Sequence, residues 1–225
     1  MHSMLYIVAT PIGNLQDITL RALDILRTVD CVLCEDTRTT KKLLDAHGIS
    51  AKTESFSSFA TEAKMEKIIS LLREGMSFAL VTDAGTPAIS DPGEMLVARV
   101  REACGEDVVI SPIPGPSALI AALSVCGIPG QEFTFLGFIP HKKGRETMFT
   151  RIATEDMKFA FYESPHRIMK TFTTLADKCP EKTLVVCREL TKTFEEVRSG
   201  TSVEILKHYT ENPSTVRGEF VCIVK

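Results

Sequence analysis

Phe78-Ala-Leu-Val-Thr-Asp-Ala-Gly-Thr-Pro-Ala-Ile-Ser-Asp-Pro-Gly93 decides the fold. Phe78 to Thr82 is a short apolar run of β-formers bounded by turn residues, which reads as a buried strand. The second half carries Gly85, Pro87, Pro92 and Gly93 together with Asp83, Thr86, Ser90 and Asp91. Glycine lets backbone approach a ligand closely, and proline fixes the path. Glu94 to Cys104 then reads as an amphipathic helix that Gly105 ends. A buried strand thus feeds a stiffened polar loop and then a helix. In open α/β sheets small ligands bind there, outside the carboxyl end of a strand. An ordinary strand-to-helix connection, usually about 2–6 residues, is shorter than this one.

Upstream the same rhythm repeats. Leu5 to Ala9 reads as a strand, Thr10 to Leu15 as a tight loop, and Ile18 to Arg27 as a helix. Ile18, Ala22, Ile25, Leu26 and Val29 give that helix one apolar face. The opening lacks the G-x-G-x-x-G spacing of a dinucleotide fingerprint. Cys31 to Cys34 is a second strand, and Glu35-Asp36-Thr37-Arg38 follows at its carboxyl end. These polar residues point either to a site rim or to a helix N-cap at Asp36 or Thr37. A helix over residues 39–46, a strand over 53–56, a helix over 60–73 and a strand over 108–111 complete the series. Strands alternating with helices predict a largely parallel sheet with helices on both faces.

Ser111-Pro-Ile-Pro-Gly-Pro-Ser117 breaks the pattern, since prolines continue neither a helix nor a central strand. It serves as a stiff linker, and the N-terminus of the helix after it, residues 118–126, suits a polar ligand. The second half reads as strands over residues 132–138, 158–162, 183–189, 194–199 and 219–224. Helices are read over 147–154, 165–176 and 203–209, the last opened by a Thr201–Glu204 capping box. The close spacing around Arg188 to Phe194 predicts a hairpin and so a mixed sheet. The expected fold is α/β in two domains: 1–112 with the parallel sheet, 118–225 with the mixed α/β sheet.

The 225 residues are 44% hydrophobic and 24% charged, with a formal net charge of −3. That suits a globular chain, with no apolar run of membrane-span length and no signal-peptide pattern, and so a cytoplasmic location. The seven cysteines are scattered, and a Cys31/Cys34 pair on a strand would face opposite ways, a poor zinc geometry. They are expected as reduced thiols, with no metal. Pro140-His-Lys-Lys-Gly-Arg-Glu146 is the basic stretch, flanked by Phe138 and Phe149. Lys142, Lys143 and Arg145 on a loop can hold phosphates, or can form a solvated loop. Glu163-Ser-Pro-His-Arg167 and the cluster Arg188, Glu189 and Lys192 are further polar rims. No Walker loop, HExxH or G-x-S-x-G is present.

Five motifs occur in order. They are residues 10–15 (TPIGNL), 34–38 (CEDTR), 82–93 (TDAGTPAISDPG), 112–118 (PIPGPSA) and 161–167 (FYESPHR). Together they closely resemble the ribosomal RNA small-subunit methyltransferase I branch of the tetrapyrrole methylase family. The resemblance covers the chain from Met4 to Lys225. It implies a two-domain homodimeric methyltransferase with S-adenosylmethionine in the cleft between the domains. It also implies methylation of a cytidine 2′-hydroxyl in small-subunit ribosomal RNA, naked or assembled. The family's Gly-Asp-Pro loop aligns with Gly85-Thr86-Pro87, so Asp83 or Asp91 would replace the missing acid. By the same matching, Pro11, Gly13, Ile89, Ser90, Ser117, Ala118 and Tyr162 would line the cofactor. A ribose hydroxyl needs a proton acceptor, for which Asp36, Glu163 and Glu189 are candidates, with Lys192 to steady the alkoxide. Arg38, His166 and Arg167 join Lys142, Lys143 and Arg145 as candidate RNA contacts. A tetrapyrrole C-methylase and a non-catalytic nucleotide-binding module are the alternative readings.

Overall fold

The computed structural model describes residues 3–57, 59–91 and 93–225. Pro92, one of the loop's expected stiffeners, lies outside the described residues. The chain divides into two compact units between Ser117 and Ala118.

The first unit runs β1 (Ser3–Val8), α1 (Leu20–Thr28), β2 (Cys31–Cys34), α2 (Thr37–Ala46), β3 (Thr53–Ser55), α3 (Glu62–Arg73), β4 (Phe78–Val81), α4 (Glu94–Cys104) and β5 (Val108–Ile113). Its sheet has the order β3-β2-β4-β1-β5, and every pairing is parallel. The period of two sorts the strand residues into two cores. Cys31, Leu33, Phe78 and Leu80 pack under Ile68 and Leu72 of α3 and Leu96 and Val100 of α4. Val32, Cys34, Ala79 and Val81 pack under Ala22 and Leu26 of α1 and Leu43 and Leu44 of α2. Helices therefore cover both faces, and the CxxC pair is split across the sheet, as its alternation requires.

β5 runs two residues beyond the expected end and carries Pro112 inside the strand. It is an edge strand, and the Ile113 carbonyl takes the Ala9 N–H. Backbone groups alternate sides, so Pro112 turns its nitrogen to the open margin, where no donor is needed.

The second unit runs α5 (Ala118–Val125), β6 (Thr134–Phe138), α6 (Arg145–Thr154), β7 (Phe159–Glu163), α7 (Pro165–Lys178), β8 (Thr183–Arg188), β9 (Glu196–Thr201), α8 (Ser202–Glu211) and β10 (Phe220–Val224). The sheet order is β6-β7-β10-β8-β9, with β6 and β7 parallel and the other pairs antiparallel. Phe159, Phe161, Leu184, Val186, Phe220 and Cys222 meet Phe149, Phe172, Leu175 and Tyr209 of the helices in one core. Thr201 and Glu204 form the expected capping box. Several boundaries move by one or two residues, and two of the shifts have a backbone cause. The helix expected from Thr147 starts at Arg145, after Gly144 takes a left-handed φ of 86°. The strand expected from Phe194 starts at Glu196, because Glu189 and Thr191 adopt φ of 52° and 66° and turn the chain. Among the described residues no helix is long and apolar enough to cross a membrane.

Candidate functional site

Strands β1 and β4 are neighbours whose following helices pack on opposite faces of the first sheet. Their carboxyl ends therefore open a crevice, the switch point at which such sheets bind ligands. Three loops are stitched there. Thr10, after β1, exchanges two backbone hydrogen bonds with Gly85, after β4, at 2.9 and 3.0 Å. The Thr10 hydroxyl also donates to the Thr82 carbonyl at 3.0 Å. The Thr86 hydroxyl donates to the Pro116 carbonyl at 3.1 Å. Gly115 lies so close to Ala9 that an added Cβ would meet the Ala9 Cβ at 3.0 Å. The Pro-Gly-Pro segment is thus fastened to the first unit.

The loop after β4 is strained as well as stitched. Ala88 and Ser90 both take φ of 67°, left-handed values that non-glycine residues seldom adopt. Such strain gathers at ligand sites held by their surroundings. Gly93 takes φ of 133°, and a Cβ there would lie 2.6 Å from Leu80 Cδ2. Ile89 is exposed, whereas Pro87 is buried. Ser90 and Asp91 line a hollow of about 330 Å³ together with Phe56, Met65 and Met95.

Asp83 stands elsewhere. Its Oδ1 accepts the Asp36 N–H at 3.1 Å, which ties the end of β4 to the end of β2. Asp83 and Asp91 therefore serve different sides of the loop. Asp83 stays solvent-exposed, but partial loss of hydration raises its carboxyl above its ordinary range, and the Asp36 charge adds to this against the Asp36 N–H. Burial likewise raises Glu35, helped by the charges of Asp83 and Asp36. Asp36 goes the other way. It caps α2 through the Arg38 N–H at 2.8 Å and grips the Arg38 guanidinium at 2.6–3.2 Å. The Arg38 side chain, then its N–H, hold the Asp36 carboxyl down at about 2. Of the two N-caps the sequence allowed, Asp36 is the one used.

In the second unit, register brings the polar motifs to one end of the sheet. Phe138 pairs with Tyr162, and Phe220 stands between Glu163 and Arg188. The segments 139–144, 163–167, 188–195 and 217–219 therefore share a rim. Lys142, Lys143, His141 and His166 are exposed on it. Tyr162 stacks edge-on against Phe135 and Phe138 at 5.0 and 5.4 Å.

Two expected residues turn inward. The Glu163 side chain is fully buried, with Arg167 at 2.6 Å, Arg145 at 3.5 Å and the Thr171 hydroxyl at 2.8 Å. Arg145 is 9% exposed, lies over the Phe149 ring and donates to Thr171. Its place on α6 removes it from the loop surface where phosphate contact was expected. Glu163 is surrounded by donors and closed to solvent. Arg167 keeps its guanidinium on Glu163 and on the Ile139 carbonyl at 2.7 Å.

Glu189 accepts the Glu219 N–H and Lys192 Nζ, each at 3.0 Å, and Lys192 also meets Glu219 at 2.8 Å. Burial opposes ionisation of Glu189, but the Glu219 N–H and Lys192 outweigh it and hold the carboxyl low. For Lys192, burial is outweighed by Glu219 and Glu189, so the ammonium is held high.

Ser117 closes the first unit; Ala118 and Tyr162 belong to the second. Pro11 is buried and Gly13 exposed in the loop after β1. Two residues of the crevice were not picked out as site residues from the sequence: Thr10 and Thr82. Thr82 Oγ1 is buried with no hydrogen-bond partner among the described residues, just past the end of β4. A polar residue closing an apolar strand was the available signal. Among the described residues, no group of His, Cys, Asp or Glu is arranged to hold a metal.

The family profile described as Tetrapyrrole (Corrin/Porphyrin) Methylases matches residues 4–206. The chain is 46% identical over 221 residues to "Ribosomal RNA small subunit methyltransferase I" of Neisseria meningitidis serogroup B, covering 98% of this chain and 75% of that protein. It is 43% identical over 223 residues to the protein of the same name from Escherichia coli O157:H7, covering 98% and 77%. Among solved structures it resembles a cobalamin biosynthetic enzyme, cobalt precorrin-4 methyltransferase, with a TM-score of 0.70 at 19% identity, covering 98% and 94%. It also resembles uroporphyrin-III-C-methyltransferase from Thermus thermophilus, with a TM-score of 0.65 at 19% identity, covering 99% and 94%. The structural likeness establishes the fold, and the sequence likeness over nearly the whole chain goes further: the chain belongs to the tetrapyrrole methylase family, within the ribosomal RNA small subunit methyltransferase I branch.

Proposed function

We propose that the protein transfers a methyl group from S-adenosylmethionine to the 2′-hydroxyl of a cytidine ribose in small-subunit ribosomal RNA, acting as a homodimer. The observation that carries this reading is the stitching of three loops around one crevice, by the Thr10–Gly85 bridge and the Thr86–Pro116 hydrogen bond, in a chain with these relatives. The crevice suits the cofactor by its donors. It offers the orphaned Thr82 hydroxyl, close backbone at Gly85, and carboxylates at the neighbouring strand end for a cationic nucleoside.

Pro11, Gly13, Gly85, Thr86, Pro87, Ile89, Ser90 and Ser117 are the residues of the first unit that would hold it. S-adenosylmethionine, when bound, supplies an electrophilic methyl on a positively charged sulfur. The protein's share is positioning and proton transfer. Well-oriented reactants gain roughly 7–11 kcal/mol in favourable intramolecular cases. As the methyl–oxygen bond would form and the methyl–sulfur bond break, leaving the thioether, the hydroxyl proton would pass to a carboxylate. Asp83 and Glu35, held above the ordinary range, are better matched to accept it than Asp36 at about 2. Lys142, Lys143 and His166 on the second unit's rim offer exposed contacts for phosphate, and Arg38 offers one beside Asp36.

The test is methyl transfer from labelled cofactor to small subunits lacking the modification, followed by mapping of the modified ribose. Label at one cytidine 2′-oxygen is expected. Label on a porphyrin precursor and none on RNA supports the tetrapyrrole alternative instead. Binding of S-adenosylhomocysteine by calorimetry tests the cofactor, and sedimentation tests the homodimer.

A further inference from the structure

The β8–β9 turn is the part of the second unit's rim that the proposed reaction leaves unexplained. Its backbone is doubly strained, with Glu189 and Thr191 both left-handed. It is also locked. Glu189 and Glu219 share a backbone bond at 3.0 Å, and the Glu189 carboxylate takes the Glu219 N–H. Gly218, at φ of 83°, leaves no room for a Cβ against that carboxylate. Thr191 Oγ1 is buried without a partner among the described residues. Strain that the surroundings hold in place gathers where a side chain must be presented rigidly.

The side chain presented is Phe194, 59% exposed, with the Arg217 guanidinium over its ring at 5.2 Å. The turn's acids are engaged elsewhere: Glu189 and Glu219 by Lys192, Glu196 by Arg188 and Arg198, and Glu195 by the Thr191 N–H. Arg217 is exposed and has no carboxylate partner among the described residues. An aromatic face with an unneutralised guanidinium beside it is the surface on which unpaired bases stack. At the other edge of the same sheet end stands Phe138, 54% exposed, just before the exposed Lys142 and Lys143. Five adjacent strands separate the two aromatics by about 19 Å, room for a few nucleotides of single strand with cations between.

Resting on the RNA reading above, we propose that Phe194 and Arg217 form a stacking platform for a second unpaired base of the RNA substrate, apart from the nucleotide that reacts. The platform is sequence-tolerant, because every base has a π-face, and adds affinity without touching the cofactor.

The experiment uses the full chain and a fluorescent single-stranded RNA copy of the target region. It compares wild type, Phe194→Ala, Phe194→Tyr and Arg217→Ala. Phe194→Ala is expected to raise the RNA Kd roughly tenfold to a hundredfold. Phe194→Tyr should stay within about twofold of wild type, since stacking survives. Affinity for S-adenosylhomocysteine and the melting midpoint should not move, which separates a lost contact from a lost fold. An unchanged RNA Kd in Phe194→Ala overturns the platform while leaving the methyltransferase reading intact if the wild type methylates subunits. A wild type that neither binds nor methylates RNA overturns both. Altered self-association in Phe194→Ala, with or without a change in RNA affinity, makes the surface a protein interface and also overturns the platform.

Discussion

Asp83 is held where its charge is disfavoured. An acid whose folded pKa exceeds its unfolded value binds its proton more tightly in the folded state. It therefore subtracts stability as pH climbs through the window between the two values. Asp83 and Glu35 are both shifted this way, chiefly by loss of hydration. Asp83→Asn keeps an oxygen for the Asp36 N–H and discards the charge. We expect its melting midpoint to match or exceed wild type above pH 6 and the gap to close at low pH, in melts run across the range. A variant less stable than wild type at pH 7 sinks this account. If Asp83 accepts the hydroxyl proton, kcat should fall by about 10²–10⁴ in the more stable protein. The sequence put an acid here, but it could not show that Asp36 would be spent on Arg38 and α2. Nor could it show that Glu163 and Arg145, both read as surface chemistry, would find each other indoors. Those outcomes depend on which side of a helix start a long side chain leaves from.

At the scale of elements, the crevice depends on loops more than on strands. The Thr10 hydroxyl contributes one buried hydrogen bond to the Thr82 carbonyl. Its loss in Thr10→Ala should cost about 1 kcal/mol, or roughly 2–4 °C of melting midpoint in a chain of this size. The backbone pair with Gly85 survives, so the protein should fold. Calorimetry should show S-adenosylhomocysteine binding several-fold more weakly, because the loops that would receive it are less fixed. Unchanged affinity would detach the stitching from ligand binding. Strand and helix positions were legible because apolar periods of 2 and 3.6 are written in local sequence. The stitching was not, since Thr10 and Gly85 meet only after the sheet sets β1 beside β4. The β8–β9 hairpin was legible from its close spacing, but the strained path of its turn was not. Its left-handed residues are Glu189 and Thr191, which carry none of the glycine signal that marks such geometry.

Over the whole molecule, the two units keep separate cores, and the seven cysteines are divided between them. All seven are buried as free thiols, and burial pushes Cys187 up to about 12. A disulfide reagent added to native protein should therefore react with almost no thiol within minutes, and with seven once denaturant is present. Rapid reaction of one or two native thiols would expose a loosely packed unit. Here the sequence reading needed little help: scattered, unpaired cysteines inside apolar runs signal core packing.

Pro112 bears on how this chain behaves in company. The free margin of β5 lacks a donor where an added strand would need one. The missing donor hinders crowded molecules from extending the parallel sheet from that side. If overexpressed protein precipitates as fibres, growth should begin from the opposite border, at the three-residue strand Thr53–Ser55.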